Sequence, residues 1–326
     1  MDCNELISNI EEYYDSYYEE LSEESKVIEE YINNHLKDSG LIYRVFSRAK
    51  SKDSVIKKAK MKSEKYINEN KKMQDSIGVR IVLYFSEDID ITISMLEDLF
   101  ELDSIEYDRP DVDTFCPQRI NIVLKKPDHI KRVDSGVSEK CLIDNTFEVQ
   151  IRTIFSEGWH EVEHDFRYKY KSDWEDEKEM SRDLNGLFAV LEICDRNIVG
   201  VLDNVAYNKY KKQLWESMIR NRFRLRFDKK PLSENIAKTV KNDTNISKRI
   251  FRFPKNQLVG LFYRTGIPVT FDNVVFLINH YAIKDDGIYD IMSQDLLDSI
   301  SDADLSFLCE DKDKNPYNNI VAMKYM

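Results

Sequence analysis

Residues 147–171 read FEVQIRTIFSEGWHEVEHDFRYKYK, and the period of this run changes part-way through. Glu148, Gln150 and Arg152 alternate with Phe147, Val149 and Ile151, the two-residue repeat of a half-buried strand. One carboxylate, one amide and one guanidinium thereby share a face. After Thr153, Phe155, Trp159, Val162, Phe166 and Lys169 recur at spacings of three and four, which predicts a helix packed along that stripe, with His164 and Tyr168 close to it. A polar strand face running into a packed helix builds a rigid site.

A second stretch, RAKSKDSVIKK, supplies positive charge. Arg48, Lys50, Ser51, Ser54, Lys57 and Lys58 lie where a short strand over 42–49 leads into a helix starting near Ser51. Ser51 is the predicted N-cap, with Ser54 one turn on, so free backbone N–H groups and four cations converge. This is an anion cradle suited to polyphosphate. Upstream of the opening run, Asp75-Ser76-Ile77-Gly78-Val79-Arg80 precedes the apolar IVLYF and puts a carboxylate and a guanidinium at the mouth of a buried strand. Gly78 allows the backbone to turn there or a ligand to approach closely.

Taken in order, RxKSxxSxxxK, DxxGxR, and EVQIRT followed by Trp, Glu-His and a downstream Tyr-Lys resemble the RelA/SpoT-type alarmone synthetase domain, over roughly residues 42–171. The resemblance implies an ATP:nucleotide 3′-pyrophosphokinase of the stringent-response type. Such an enzyme moves pyrophosphate from ATP to the ribose 3′-hydroxyl of GDP or GTP. It implies Mg²⁺ as cofactor, with Asp75 and Glu148 as its oxygen ligands and Glu148 also activating the acceptor hydroxyl. Arg48, Lys50, Ser51, Ser54 and Lys58 are then the ATP-binding set, with Arg48 also stacking on adenine. Lys57 competes with Lys58 for its role. Arg80 stabilises charge on the transferring group, and Gln150 and Arg152 orient the acceptor or support Glu148. His164 and Tyr168 are read as packing residues. The His164-Asp165 pair suggests an HD hydrolase, but the further His and Asp ligands such a site needs have no counterpart upstream, and that activity is rejected.

The family's acceptor loop reads close to GYxSxH, preceded by lysines. Here the corresponding piece is Asp113-Thr114-Phe115-Cys116-Pro117-Gln118-Arg119-Ile120-Asn121. Setting Phe115 on the tyrosine puts Arg119 on the histidine; aligning Ile120-Asn121 around the histidine puts Pro117 on the tyrosine. Neither register restores the motif, although Phe115, Arg119 and Asn121 remain acceptor-binding candidates. Asp111 and Asp113 replace the lysines and repel nucleotide phosphates. The expected activity therefore carries two alternatives: pyrophosphorylation of an adenosine nucleotide or a tRNA 3′ end, as in toxin-type relatives, and a silent nucleotide-binding regulator.

Composition bounds these readings. The chain has 326 residues, 42 % hydrophobic and 33 % charged, which is globular and excludes a disordered chain. A net charge of −12 argues against broad nucleic-acid binding. The exception is the cluster Arg220, Arg222, Arg224, Arg226, Lys229 and Lys230, a candidate tRNA surface. The 5 cysteines include no CxxC pair and fit reduced thiols. No apolar run has the length of a membrane span and the acidic start MDCNELISNIEEYY is unlike a signal peptide, so the expected location is cytoplasmic.

The expected fold class is α/β (α+β): a mixed sheet flanked by helices, followed by a helical C-terminal domain. Residues 1–40 form one or two helices, 41–227 the synthetase domain, and 228–326 a small helical domain of unassigned role, a candidate contact for a protein partner or for homo-oligomerisation. Within 41–227, a helix runs from 51 to about 72. Strands fall at 78–85, 104–108, 119–125 and 142–153, and 126–140 is a loop. From Trp174 to Arg226 the chain is helical, with Leu184, Leu187, Phe188, Leu191 and Ile198 as one apolar face.

Overall fold

The computed structural model describes residues 3–67, 71–108, 119–130 and 143–301. These divide into two compact units: 1–37 with 41–204, and 38–40 with 205–326.

The first unit opens with a single 34-residue helix, α1 (Cys3–Leu36). Leu6, Ile10, Tyr14, Leu21, Ile28, Ile32 and Leu36 recur at helical spacing and are buried. At about 1.5–3 kcal/mol per buried side chain, this stripe holds α1 on the sheet. Glu24 on the same face is completely buried and its charge is met by Lys126 at 2.9 Å. β1 (Tyr43–Ala49) leads into α2 (Lys52–Met61) and α3 (Ser63–Ile67), so the helix expected over 51–72 breaks at Lys62. Lys62 leaves the helical region, at φ −122° and ψ 30°, and its N–H bonds to the Lys58 carbonyl, closing α2. Then follow β2 (Ile77–Leu83), α4 (Ile89–Leu99), β3 (Leu102–Asp108), β4 (Arg119–Lys125) and β5 (Thr146–Thr153).

The strands form one mixed five-stranded sheet in the order β1-β2-β5-β4-β3. Only β2 and β5 run parallel; the other neighbours are antiparallel. Val79, Ile81, Phe147, Val149, Ile151, Ile122 and Leu124 all face the core at 1 % exposure or less. Register then fixes the opposite face. Arg48, Gly78 and Glu148 lie in one row across β1, β2 and β5, and Phe46, Arg80, Gln150 and Asn121 in the next. The alternation read from residues 147–153 is that face seen along one strand.

After β5 comes α5 (Ile154–Val162), capped by Thr153, whose side chain accepts from the Ser156 N–H at 3.2 Å. A π-helical turn over Glu163–Tyr168 follows. The expected stripe is only partly buried: Trp159 is buried, whereas Val162 at the end of α5 and Phe166 on the π-helical turn, which underwinds the helix, are 46 % and 68 % exposed. α6 (Lys178–Lys211) is likewise not the one-faced helix expected. Phe188 is buried with its ring 5.4 Å from that of Trp159, while Leu187 and Ile198 point to solvent.

The second unit is helical: α7 (Trp215–Phe223), α8 (Glu234–Asn242), α9 (Thr244–Arg252), α10 (Lys255–Thr265), α11 (Phe271–Ile278), α12 (Asp286–Tyr289) and α13 (Gln294–Ser301). The small domain expected from 228 onward lies within it. Gly40 adopts φ +76°, and a Cβ there would stand 3.0 Å from Val269. Two arginines of the candidate tRNA cluster are spent internally. Arg222 donates to the carbonyls of Phe251 and Phe253, and Arg224, 4 % exposed, donates to that of Asn221. The continuous basic surface read from the sequence is therefore broken, because Arg222 satisfies carbonyls at the C-terminal end of α9 and Arg224 one at the end of α7. No described helix is long and apolar enough to cross a membrane.

Candidate active site

The site lies where β2 and β5 begin and β1 ends. Because β1 is antiparallel to β2, its last residues meet the first of β2, and the Lys50 N–H donates to the Ser76 carbonyl at 2.8 Å. Next to that junction, Asp75 accepts from the Lys50 ammonium and from Lys58 Nζ at 2.5 Å. Burial alone would raise the Asp75 carboxyl; the two ammonium groups outweigh it and hold it below the ordinary carboxylate range. Burial opposes the charge on Lys58, but Asp75, with Tyr66 and Glu148, raises it above the ordinary lysine value. Asp75 and Glu148 thus both act on one ammonium, from the loop before β2 and from β5. The other Asp75 oxygen, Oδ1, is buried with no hydrogen-bond partner among the described residues. Burial and the Asp75 charge push the phenol of Tyr14, on α1, well above its ordinary value.

Ser51 caps α2, its hydroxyl accepting from the Ser54 N–H at 3.4 Å and lying 2.8 Å from the Ser54 hydroxyl. Of the two adjacent lysines, Lys58 turns inward to Asp75 and Lys57 is exposed. Arg48 is exposed at the rim.

Further along the same face, side chains are linked in series. Gln150 donates to Glu148 Oε2 at 3.1 Å, Arg152 donates to Gln150 Oε1 at 3.3 Å, and Arg152 Nε lies 3.6 Å from Glu157 Oε2. Glu157 and Glu161, one turn apart on α5, also grip Arg80 at 2.6 Å and 2.5 Å. Arg152 is 3 % exposed and its charge is met by Glu157, which makes it a support for Gln150 rather than a surface group. The sequence reading missed Glu157 and Glu161. The signal was present: two carboxylates at i and i+4 in the first turns after a strand that carries an arginine.

The structure brings Arg48, Lys50, Ser51, Ser54, Lys58, Asp75 and Glu148 to the end of the sheet where β2 and β5 begin, and Arg80, Gln150 and Arg152 follow along the same face. Asn121 joins the row of Gln150 through β4. Arg119 begins β4, and Phe115 lies outside the described residues. His164 contacts Asp165 at 2.9 Å and stacks with Tyr168 at 5.5 Å on the π-helical turn. No group of three or more His, Cys, Asp or Glu side chains among the described residues is placed to hold a metal ion. Asp75 and Glu148 are oxygen donors of the type that Mg²⁺ prefers, and Asp75 Oδ1 is buried without a partner among the described residues, so the two would fit such a cation.

Comparison with known proteins follows this geometry. Residues 47–173 match the family model described as the region found in RelA / SpoT proteins. No curated protein matches the chain. Among solved structures, a GTP pyrophosphokinase family protein from Streptococcus pneumoniae aligns at 20 % identity, covering 60 % of this chain and 93 % of that one, with a TM-score of 0.44. The small alarmone synthetase 1 from Bacillus subtilis bound to its product pppGpp aligns at 20 % identity over 60 % and 97 %, with a TM-score of 0.47. The same enzyme bound to AMPCPP aligns at 22 % over 60 % and 97 %, with a TM-score of 0.42. With its mixed sheet and the polar row that starts β2 and β5, this chain is similar, over residues 47–173, to the region found in RelA / SpoT proteins.

Proposed function

We propose that this protein transfers pyrophosphate from ATP to the ribose 3′-hydroxyl of a nucleotide, with GDP or GTP as the acceptor class. The observation that supports it most is the Asp75 cluster: a carboxylate between two ammonium groups, beside Glu148, at the capped start of α2. Triphosphate oxygens compete for Lys50 and Lys58, and the capped helix start adds backbone donors. Asp75, released from its lysines, and Glu148 would hold Mg²⁺, whose chemistry is to neutralise phosphate charge. The acceptor 3′-oxygen forms a bond to the β-phosphorus while the bond from that phosphorus to the bridging α–β oxygen breaks. AMP leaves, and the hydroxyl proton passes to the Glu148 carboxylate. Gln150, supported by Arg152, holds that carboxylate in one orientation, and Arg80 offers its guanidinium to the transferring group.

A second reading changes the acceptor. Asp111 and Asp113 make the acceptor segment acidic and repel nucleotide 5′-phosphates, and the segment lacks the GYxSxH pattern, which leaves an adenosine nucleotide or a tRNA 3′ end as the alternative acceptor. ATP labelled at the β-phosphate, incubated with Mg²⁺ and separately with GDP, GTP, ATP or tRNA, tests both. Label on a guanosine nucleotide supports the first reading, and label on tRNA or on a new adenosine nucleotide carrying it at the 3′-oxygen supports the second. Label on none favours a nucleotide-binding regulator.

A further inference from the structure

We propose that Phe46 is a specificity-determining residue of the donor site, its ring forming the wall of a flat purine subsite whose floor is Gly78. The proposal rests on the reading of this site as one that binds a nucleoside triphosphate. Phe46 is 52 % exposed on the polar face of β1, between Arg44 and Arg48, and neither buries its ring in the core nor stacks it on another described aromatic ring. An exposed phenylalanine alone means little. This one stands directly opposite Arg80, one row from the line Arg48–Gly78–Glu148.

Gly78 leaves a gap in that line: a Cβ added there would meet no heavy atom within 4 Å. The cleared patch is flanked by Arg48 and Glu148 across the sheet and by Arg80 along β2, with Phe46 diagonal to it. Its borders are therefore charged on three sides and aromatic on one. Phosphates have their own anchors in Lys50, Lys58 and the α2 N-terminus, so the open patch is left for the flat, uncharged end of the donor. A ring on the Phe46 face gains by stacking, and a two-ring purine gains more than a one-ring pyrimidine because it covers more of the phenyl surface.

The test is calorimetric binding of ATP, CTP and inorganic tripolyphosphate, each with Mg²⁺, to the full chain and to F46S and F46W. Wild type is expected to bind ATP more tightly than CTP, and CTP more tightly than tripolyphosphate. F46S should lose roughly tenfold in ATP affinity, in line with one lost base stack, and leave tripolyphosphate unchanged. F46W should retain the ATP preference. Equal ATP affinity in F46S and wild type would overturn the role of Phe46 while leaving the donor reading intact, and an equal loss for all three ligands would overturn it as well. Wild type that binds neither ATP nor tripolyphosphate would overturn the donor reading itself. Phe46 is exposed, so an unchanged thermal midpoint in F46S is expected and separates these outcomes from misfolding.

Discussion

The ammonium of Lys58 lies 2.5 Å from a carboxylate oxygen of Asp75, whose side chain is 12 % exposed, so each neutralises the other in a partly buried setting. Lys50 binds the same oxygen. Asp75 therefore has a structural role beside the metal ligation proposed for it. Asp75→Asn leaves two cations facing each other without a counter-charge. It should abolish pyrophosphate transfer and also lower unfolding free energy by about 2 kcal/mol. Denaturant titration checks the second effect. Asp75→Asn combined with Lys58→Met should recover part of the stability and none of the activity, and unaltered stability in the single variant would contradict the ion-pair assignment.

The same cluster sets a pH dependence. Asp75 titrates below its ordinary value in the folded chain, so its contribution is fully present above the unfolded carboxylate value, about 3.9, and is lost as pH falls through the lower folded value. Lys58 is raised, so its contribution is present below the ordinary lysine value and is lost as pH climbs through the raised one. Across neutral pH both are constant. The stability difference between wild type and Asp75→Asn should be flat from pH 6 to 8 and shrink in strong acid. A difference that instead varied steeply around neutrality would point to another titrating group.

Glu148 makes no ion pair within contact distance among the described residues, and its hydrogen-bond partner is the Gln150 amide at 3.1 Å. Glu148→Gln is close to isosteric and leaves no charge buried. Stability should move by less than about 0.5 kcal/mol while kcat drops by roughly 10²–10⁴, the range for loss of a general base. Single-turnover assays with saturating ATP read this directly, and retained turnover would remove Glu148 from the chemistry.

Glu157 bridges Arg80 on β2 and Arg152 on β5 from α5. Glu157→Gln keeps the volume and removes the charge that orients both guanidinium groups. Because Arg152 is buried, the variant should destabilise by about 1–3 kcal/mol and lower kcat more than it raises KM for ATP. Glu161→Gln, whose carboxylate is 55 % exposed, should do little to stability. Equal effects of the two would show that Arg80 is held by proximity to α5 in general and not by Glu157.

Much of this site was legible along the chain because strand periodicity transmits it. The alternation at 147–153 gave a polar face on β5, and the sheet register turned that face into rows that include Arg48, Gly78 and Arg80. Ser51 as helix cap was legible for the same reason: capping is local. What was hidden is what depends on tertiary partners. Nothing local says that Lys58 faces Asp75 and Lys57 solvent, or that Glu157 closes on two arginines. The π-helical turn at 163–168 adds a residue to the repeat after Val162 and leaves Phe166 exposed, which a fixed spacing of three and four cannot anticipate. Arg222 and Arg224 looked like surface charge because a helix end's need for donors shows only once the end is placed.

Gly78 separates a structural from a functional use of glycine. Its φ is not in the left-handed region, so no turn requires it, and the space where a Cβ would stand is open. A β-branched residue in a strand interior is favoured over glycine on both propensity and unfolded-state entropy. Gly78→Val should therefore leave the fold as stable as wild type, or more so by about 0.5–1 kcal/mol. If a ligand must lie against the sheet between Arg48 and Glu148, the same two methyl groups fill its place. Transfer should then fall by at least tenfold, with the loss in KM for ATP, while tripolyphosphate binding at Lys50 and Lys58 persists. Thermal denaturation beside steady-state kinetics reads both halves. A stable Gly78→Val protein with wild-type KM would mean that the open patch is not where the donor lies.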